Sequence, residues 1–336
     1  MGNKLGIQKR RLKMSLLLIV LAFIAIFIWK TDLSAVKKEI SNIGFRVIYI
    51  FACTFFAYLL GTWGWRMCLG ADKRKISISQ LFIVRQIGET VGLYNPTSIV
   101  GGDLFKVELL KRYCVDTQIA LNSVLVSRIT AILSQVLLFL SMILWLLLSP
   151  FGSGISRLFG LWLYAFISVL IIAKIALFIW MGTRKHLETI PVNDTESAYR
   201  RLKRYIKMLL FDVKFFFRND KKAFWYSYFL FFLHWVVGSL EFYLILHFLG
   251  YRASVLHGLF LDMYSIAFKS LGAFIPGQLG IEELGNKFAL STIGITSLSL
   301  WVTVSLLRRT RQLCWIAIGF ILYFFIKKDV RNITTA

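Results

Sequence analysis

Six apolar runs divide this chain, and most of them are long enough to cross a lipid bilayer. A transmembrane helix needs about 20 mainly apolar residues, because each residue advances the axis by about 1.5 Å. Of the 336 residues, 57% are hydrophobic, which is too apolar for a soluble domain of this length. The sequence therefore predicts an all-α polytopic membrane protein with six full spans. They lie at Met14–Trp29, 47–69, 119–148, 158–181, 223–249 and 298–326.

Two further apolar segments, 76–102 and 254–293, are interrupted by glycine and proline. Proline lacks a backbone donor and stops a helix, and broken helices at membrane depth are tolerated only within protein or beside water. We therefore expect two re-entrant broken-helix hairpins. Their breaks are predicted at Asn95, Pro96, Gly101, Gly102, Pro276, Gly277 and Gly280.

The two interrupted segments resemble each other at a constant offset of 180 positions. Pro96 aligns with Pro276, and Arg128 aligns with Arg308 in the apolar run that follows each break. Paired breaks in corresponding halves are typical of transporters built from inverted-topology repeats. A chance alignment in a biased composition is the alternative interpretation.

The repeats define the predicted domain organisation. We expect a single membrane domain over 1–336, with repeat one at about 76–148 and repeat two at about 254–326. A basic segment at 183–222 joins them, and its mixture of cations and apolar residues predicts a helix that lies on the inner membrane surface. A plain connector that rests on the membrane is the alternative for this segment.

The net charge of +23 would indicate nucleic acid as the partner of a soluble protein. In a membrane protein, an excess of Lys and Arg in cytoplasmic loops explains it instead. The distribution of cations favours both termini in the cytoplasm, and we expect the protein to lie in the cell membrane. We therefore expect an anionic membrane surface, and no nucleic acid, among its partners.

Charged residues inside apolar runs are the strongest functional signal. Even on a lenient insertion scale, an arginine at the centre of a membrane helix costs about 2.5–3.5 kcal/mol. We expect Arg128 and Arg308 to face a common hydrated cavity and to bind a phosphate, whereas Arg309 and Arg311 are expected to pair with carboxylates. The alternative is that Arg308, Arg309 and Arg311 all pair with the carboxylates Glu241, Glu282 and Glu283. The candidate substrate-binding residues are Arg85, Asp103, Arg128, Glu241, Glu282, Glu283, Arg308 and Arg311.

The four cysteines are scattered singly, without the paired spacing of a metal site or a disulfide framework. We accordingly expect no metal and no cofactor.

The segments Asn95–Asp103 and Pro276–Glu282 resemble the two motifs of the flippase-like family. This family is also called the lysylphosphatidylglycerol synthase transmembrane region, after the membrane half of the multiple peptide resistance factor. The resemblance covers nearly the whole chain, although Gln278 stands where the family usually has a glycine. It implies movement of phospholipid-like molecules between leaflets.

The resemblance also sets the expected activity class. The soluble aminoacyltransferase half of the best-known member has no counterpart in these residues, so we expect a transporter and not an enzyme. The expected substrate is a phospholipid or a polyprenyl-phosphate-linked lipid. A transporter or channel for a small soluble anion is the alternative, and the sequence also leaves a homo-oligomer open.

Overall fold

The computed structural model describes residues 43–94, 98–150, 152–183, 210–271 and 280–334, together with Lys38 and Ser41. Throughout these residues the secondary structure is helical, and no strand is formed. A further helical stretch covers 210–219. The main helices are α1 (Val47–Met67), α2 (Ile78–Tyr94), α3 (Ser98–Lys111), α4 (Thr117–Leu148), α5 (Gly152–Gly182), α6 (Lys221–Phe248), α7 (Val255–Leu271), α8 (Ile281–Thr292) and α9 (Leu298–Thr334).

Local sequence explains where several helices begin. The Asp116 carboxylate accepts hydrogen bonds from two backbone amides of the first turn of α4, at 2.8 and 3.2 Å. Asp220 caps α6 in the same way at 3.0 Å. These carboxylates satisfy amide groups that have no partner within the helix. Gly280 precedes α8 with φ of +83°, a conformation that favours glycine, and its amide donates to Glu283 at 2.7 Å.

Four helices in the described part of the chain are long and apolar enough to cross a membrane. They are α1 with its preceding turn, α4, the stretch Tyr164–Gly182 of α5, and α6. The predicted run 298–326 forms α9, which is 37 residues long and is not among these four helices. The predicted span at Met14–Trp29 lies outside the described residues. The membrane-helix class is therefore confirmed, and the count of six spans stays a prediction.

Helices α2, α3, α7 and α8 are shorter, with 17, 14, 17 and 12 residues. This is at or below the lower limit for a single crossing. They pack as two pairs, α2 with α3 and α7 with α8, and each pair is followed by a long helix. The order α1–α4 thus recurs as α6–α9.

Packing between the two halves is reciprocal. The largest helix contact joins α1 to α6, while α2 of the first half packs on α9 and α7 of the second half packs on α4. Two apolar cores in the bundle each include residues of both halves. One core surrounds Leu81, Leu109 and Val124, and the other surrounds Phe242, Leu261 and Leu290.

Two of the predicted hairpin breaks are wrong. Gly101 and Gly102 lie inside α3 and do not interrupt it. Gly102 is instead a contact point between the paired helices, since a Cβ there would lie 2.5 Å from the Gly88 carbonyl and 2.9 Å from Cα of Gly92. The breaks predicted at Asn95, Pro96, Pro276 and Gly277 lie outside the described residues.

Candidate functional site

Helices α1, α2, α3, α4 and α6 enclose a cavity of about 260 Å³, here called the cationic cavity. Three cations and two carboxylates contribute to its lining: Arg85, Lys106, Arg128, Glu89 and Asp103. The rest of the wall includes aromatic and aliphatic side chains. A wall of this composition combines positive charge with apolar surface, which suits an amphiphilic anion.

The charges of the cationic cavity form a connected chain. Arg128 Nη2 lies 2.7 Å from Asp103 Oδ1, and Lys106 Nζ lies 3.3 Å from the same oxygen. Lys106 also contacts a Glu89 oxygen at 2.5 Å. Lys106 and Asp103 are nearly buried, whereas the side chains of Arg128 and Glu89 are 35% and 50% exposed. One carboxylate oxygen therefore contacts two cations, and one of these, Arg128, is partly accessible.

Arg85 is the third cation that lines the cationic cavity. Its guanidinium lies 4.9 Å from the centre of the Tyr58 ring, and Nη1 donates to the Tyr58 carbonyl at 3.3 Å. Gly61 faces the same guanidinium, because a Cβ there would be 3.3 Å from Nη2. Buried His234 completes this wall, with Nδ1 2.6 Å from the Ala57 carbonyl oxygen.

A second cavity of about 200 Å³ adjoins the first and shares Arg85 and Glu89 with it. Its other charged lining residues are Lys269 and Arg311. Each of these two cations is paired with a carboxylate that does not line the cavity: Lys269 contacts Glu282 at 3.1 Å, and Arg311 contacts Glu241 at 2.7 Å.

Arg308 lies in a different environment, in a cluster of carboxylates. It is 3% exposed and contacts Asp262 at 3.1 Å, Glu282 at 3.4 Å and Glu241 at 3.6 Å. Its guanidinium also lies 3.9 Å from the centre of the Phe242 ring. Arg308 lines neither of the two cavities described above. The expectation that Arg128 and Arg308 face one cavity is therefore not met among the described residues.

The neighbouring arginines of α9 are paired as expected. Arg309 contacts Glu283 at 2.7 Å and Glu282 at 3.4 Å. Arg311 contacts Glu241 and also donates from Nη1 to the Tyr58 hydroxyl at 3.1 Å. The Nε of Arg311 and Oε1 of Glu241 are close but not aligned as a hydrogen bond. With Lys269 and Asp262 included, this buried cluster contains four cations and four carboxylates.

The two halves differ in sequence at the positions that give Arg128 and Arg308 different surroundings. The three carboxylates around Arg308 are Glu241, Asp262 and Glu282. The residues 180 positions earlier are Gly61, Phe82 and Gly102, none of which carries a charge. Arg308 is therefore surrounded by carboxylates. In the first half, the position that aligns with Glu241 is Gly61, which contributes to the wall of the cationic cavity.

Lys106, like Glu89, lines the cationic cavity but was not among the candidate residues identified from the sequence. It is 7% exposed and links α2 to α3 through Glu89 and Asp103. Lys106 follows Asp103 by three residues on one helix, and this spacing predicts a contact between their side chains, because such residues are neighbours on a helix surface. The link to Glu89 depends on the packing of the two helices and is not visible in the sequence.

No group of three or more His, Cys, Asp or Glu side chains suited to a metal ion occurs among the described residues.

Comparison with known families gives one match. A family model described as the lysylphosphatidylglycerol synthase TM region matches residues 14–326. Comparisons with curated proteins and with solved structures return no match.

Proposed function

The chain belongs to the lysylphosphatidylglycerol synthase transmembrane-region family and is membrane-embedded, and on that premise we propose that it moves an anionic, phosphate-bearing lipid headgroup between leaflets. The headgroup enters the cationic cavity, and the acyl chains stay in the bilayer. The substrate is a phospholipid or a polyprenyl-phosphate-linked lipid. This activity is transport, and no chemical step is assigned to the chain.

The observation that carries the proposal is the position of Arg128 beside an exposed apolar residue. Arg128 and Ile132 are four residues apart near the centre of α4, so they lie on one face of a membrane-crossing helix. Both line the cationic cavity, and Ile132 is 50% exposed. A guanidinium matches phosphate oxygens, and an apolar rim at the same depth matches an acyl chain.

This apolar rim also favours a lipid over a small soluble anion. A site for a soluble ion needs to exclude lipid, so exposed apolar surface is not needed at its rim. The charge balance of the cavity supports the same substrate. Its three cations exceed its two carboxylates by one, which corresponds to the single negative charge of a phosphodiester.

The proposed transport path uses the two halves as inverted repeats. The α2–α3 hairpin enters from the cytoplasm and the α7–α8 hairpin from outside, with both termini cytoplasmic and the protein in the cell membrane. The recurrence of helix order and the reciprocal packing of α2 on α9 and α7 on α4 support this arrangement. Transporters with such repeats bind substrate near the bilayer midplane.

Arg85 and Arg128 are the proposed headgroup ligands among the residues predicted from sequence, with Lys106 added. Arg308 is assigned a supporting role, because its guanidinium is already surrounded by Asp262, Glu241 and Glu282. Arg309 and Glu283 belong to the same supporting cluster.

Reconstituted vesicles test the proposal. The protein is incorporated into phosphatidylcholine vesicles that contain fluorescent phosphatidylglycerol, and a membrane-impermeant quencher reports the exchange of headgroups between leaflets. We expect exchange well above that of protein-free vesicles. Release of trapped inorganic phosphate at the same protein density, without headgroup exchange, would support the soluble-anion alternative and contradict a lipid substrate.

A further inference from the structure

The position of Asp103 in the cationic cavity has a consequence for how a headgroup binds. Its Oδ1 atom contacts both Arg128 and Lys106, at 2.7 and 3.3 Å. The Asp103 side chain is only 12% exposed, so it is held in this position within the protein. A phosphate oxygen that used both cations would need the same place.

On the basis of the proposed function, we infer that Asp103 is a built-in competitor of the substrate phosphate. The carboxylate occupies the shared position between Arg128 and Lys106, and the phosphate displaces it on binding. Binding thus exchanges one charge-assisted contact for another, which keeps the affinity moderate. A transport site needs this property, since a substrate must be bound strongly enough to enter and weakly enough to leave.

The contacts around Asp103 allow this exchange. Lys106 keeps its second partner, Glu89, when Asp103 moves away, so the α2–α3 pair stays linked. Arg128 is 35% exposed and lines the cavity, so an incoming phosphate reaches its guanidinium without opening the helix bundle.

Arg308 provides the contrasting case within the same chain. Three carboxylates from three helices contact it, and it is 3% exposed. A phosphate cannot reach this guanidinium without opening the helix bundle, because Arg308 lines neither cavity. The accessible arginine at the cavity therefore suits exchange of its partner, whereas the buried Arg308 suits a permanent ionic contact.

The test compares Asp103→Asn with Glu108→Gln in full-length protein in phosphatidylcholine nanodiscs. Glu108 is on the same helix, its side chain is 60% exposed, and it pairs with Lys111 at 3.0 Å. Both variants remove one negative charge, but only the first removes the competitor. Short-chain phosphatidylglycerol is titrated in one arm and glycerol phosphate in the other, so that a lipid and a soluble phosphate are distinguished.

We expect Asp103→Asn to bind short-chain phosphatidylglycerol about tenfold more tightly, because the phosphate no longer competes with a charged acceptor. Headgroup exchange in vesicles should be slower in this variant, since release is slower. Glu108→Gln should match the wild type in both measurements. Unchanged or weaker binding in Asp103→Asn, or an equal gain in Glu108→Gln, would overturn the inference.

Infrared difference spectra of the wild-type protein give a measurement that does not depend on folding of the variant. Addition of phosphatidylglycerol should shift a carboxylate band, and the absence of any shift at saturation contradicts displacement. The inference and the proposed function fail separately. If the wild type exchanges headgroups but Asp103→Asn binds lipid with unaltered affinity, only the inference is contradicted. If the wild type neither binds nor exchanges lipid, the proposed function is contradicted.

Discussion

Arg128 contacts Asp103 at 2.7 Å across 25 positions of sequence, and this contact joins α4 to α3. The second half contains a matching contact, in which Arg309 lies 2.7 Å from Glu283 across 26 positions. In both halves a carboxylate of the second short helix, α3 or α8, is joined to an arginine of the following long helix. The two contacts differ in their surroundings, since Arg128 lines a cavity and Arg309 lies beside the buried Arg308 cluster.

Replacement of Arg128 should abolish transport with little effect on the fold. Arg128→Gln removes the guanidinium from the cavity, and we expect headgroup exchange in vesicles to fall to the protein-free rate. Arg128→Lys should retain part of the activity, because it keeps the charge and loses the planar fork. Arg112→Gln is the control, since Arg112 is exposed and lines neither cavity. Normal exchange by Arg128→Gln would remove this residue from the site.

Replacement of Arg308 should act on stability. Arg308→Gln leaves Asp262, Glu241 and Glu282 without their shared cation, and loss of one partner from a buried ionic cluster costs about 3–5 kcal/mol. We expect a lower purified yield and a lower midpoint of thermal unfolding. A variant of normal stability that no longer binds phosphatidylglycerol would instead return Arg308 to the substrate site.

The contact between α2 and α3 at Gly102 predicts a steric effect. Gly102→Ala would place a methyl group 2.5 Å from the Gly88 carbonyl, so the helices must separate. We expect a loss of about 1–3 kcal/mol, the usual range for overpacking. Gly238→Ala is the matched control, because its new methyl group would meet Ala57 at an ordinary 3.7 Å. Equal unfolding midpoints for both variants would contradict the close contact.

The inverted topology is tested by labelling of single cysteines. In a background without the four native cysteines, Ser153→Cys should react with a membrane-impermeant probe from outside the cell. Thr195→Cys should react only after the inner side is exposed. If both positions react from the same side, the two hairpins do not enter from opposite faces, and the repeat argument for transport is lost.

Long apolar runs were sufficient to predict the membrane helices. The predicted runs 47–69, 119–148 and 223–249 agree with α1, α4 and α6 to within a few residues. This agreement is expected, because a bilayer requires long apolar segments and the backbone within them must be helical. The glycines at 101 and 102 were misjudged, since glycine also serves close helix packing, which depends on a partner that the sequence does not identify.

The residues that line the cationic cavity were predicted in part. Arg85, Asp103 and Arg128 were identified as candidate ligands and lie together in one cavity. Arg308 was predicted to be a phosphate ligand because it aligns with Arg128. The alignment contains no information on which residues surround each arginine. The difference was present in the sequence at the aligned pairs Gly61 with Glu241 and Phe82 with Asp262. It could be interpreted only once the helices carrying these residues were seen to pack together.

The buried cluster around Arg308 also bears on biosynthesis. Its carboxylates, on α6, α7 and α8, all precede the three arginines of α9 in chain order. A carboxyl group can enter the bilayer in its neutral, protonated form, but a guanidinium keeps its charge. Because synthesis proceeds from the N-terminus, the carboxyl groups on α6, α7 and α8, which can be neutral, are inserted first. When α9 is inserted with its permanently charged arginines, the carboxylates that pair with them are already in the membrane.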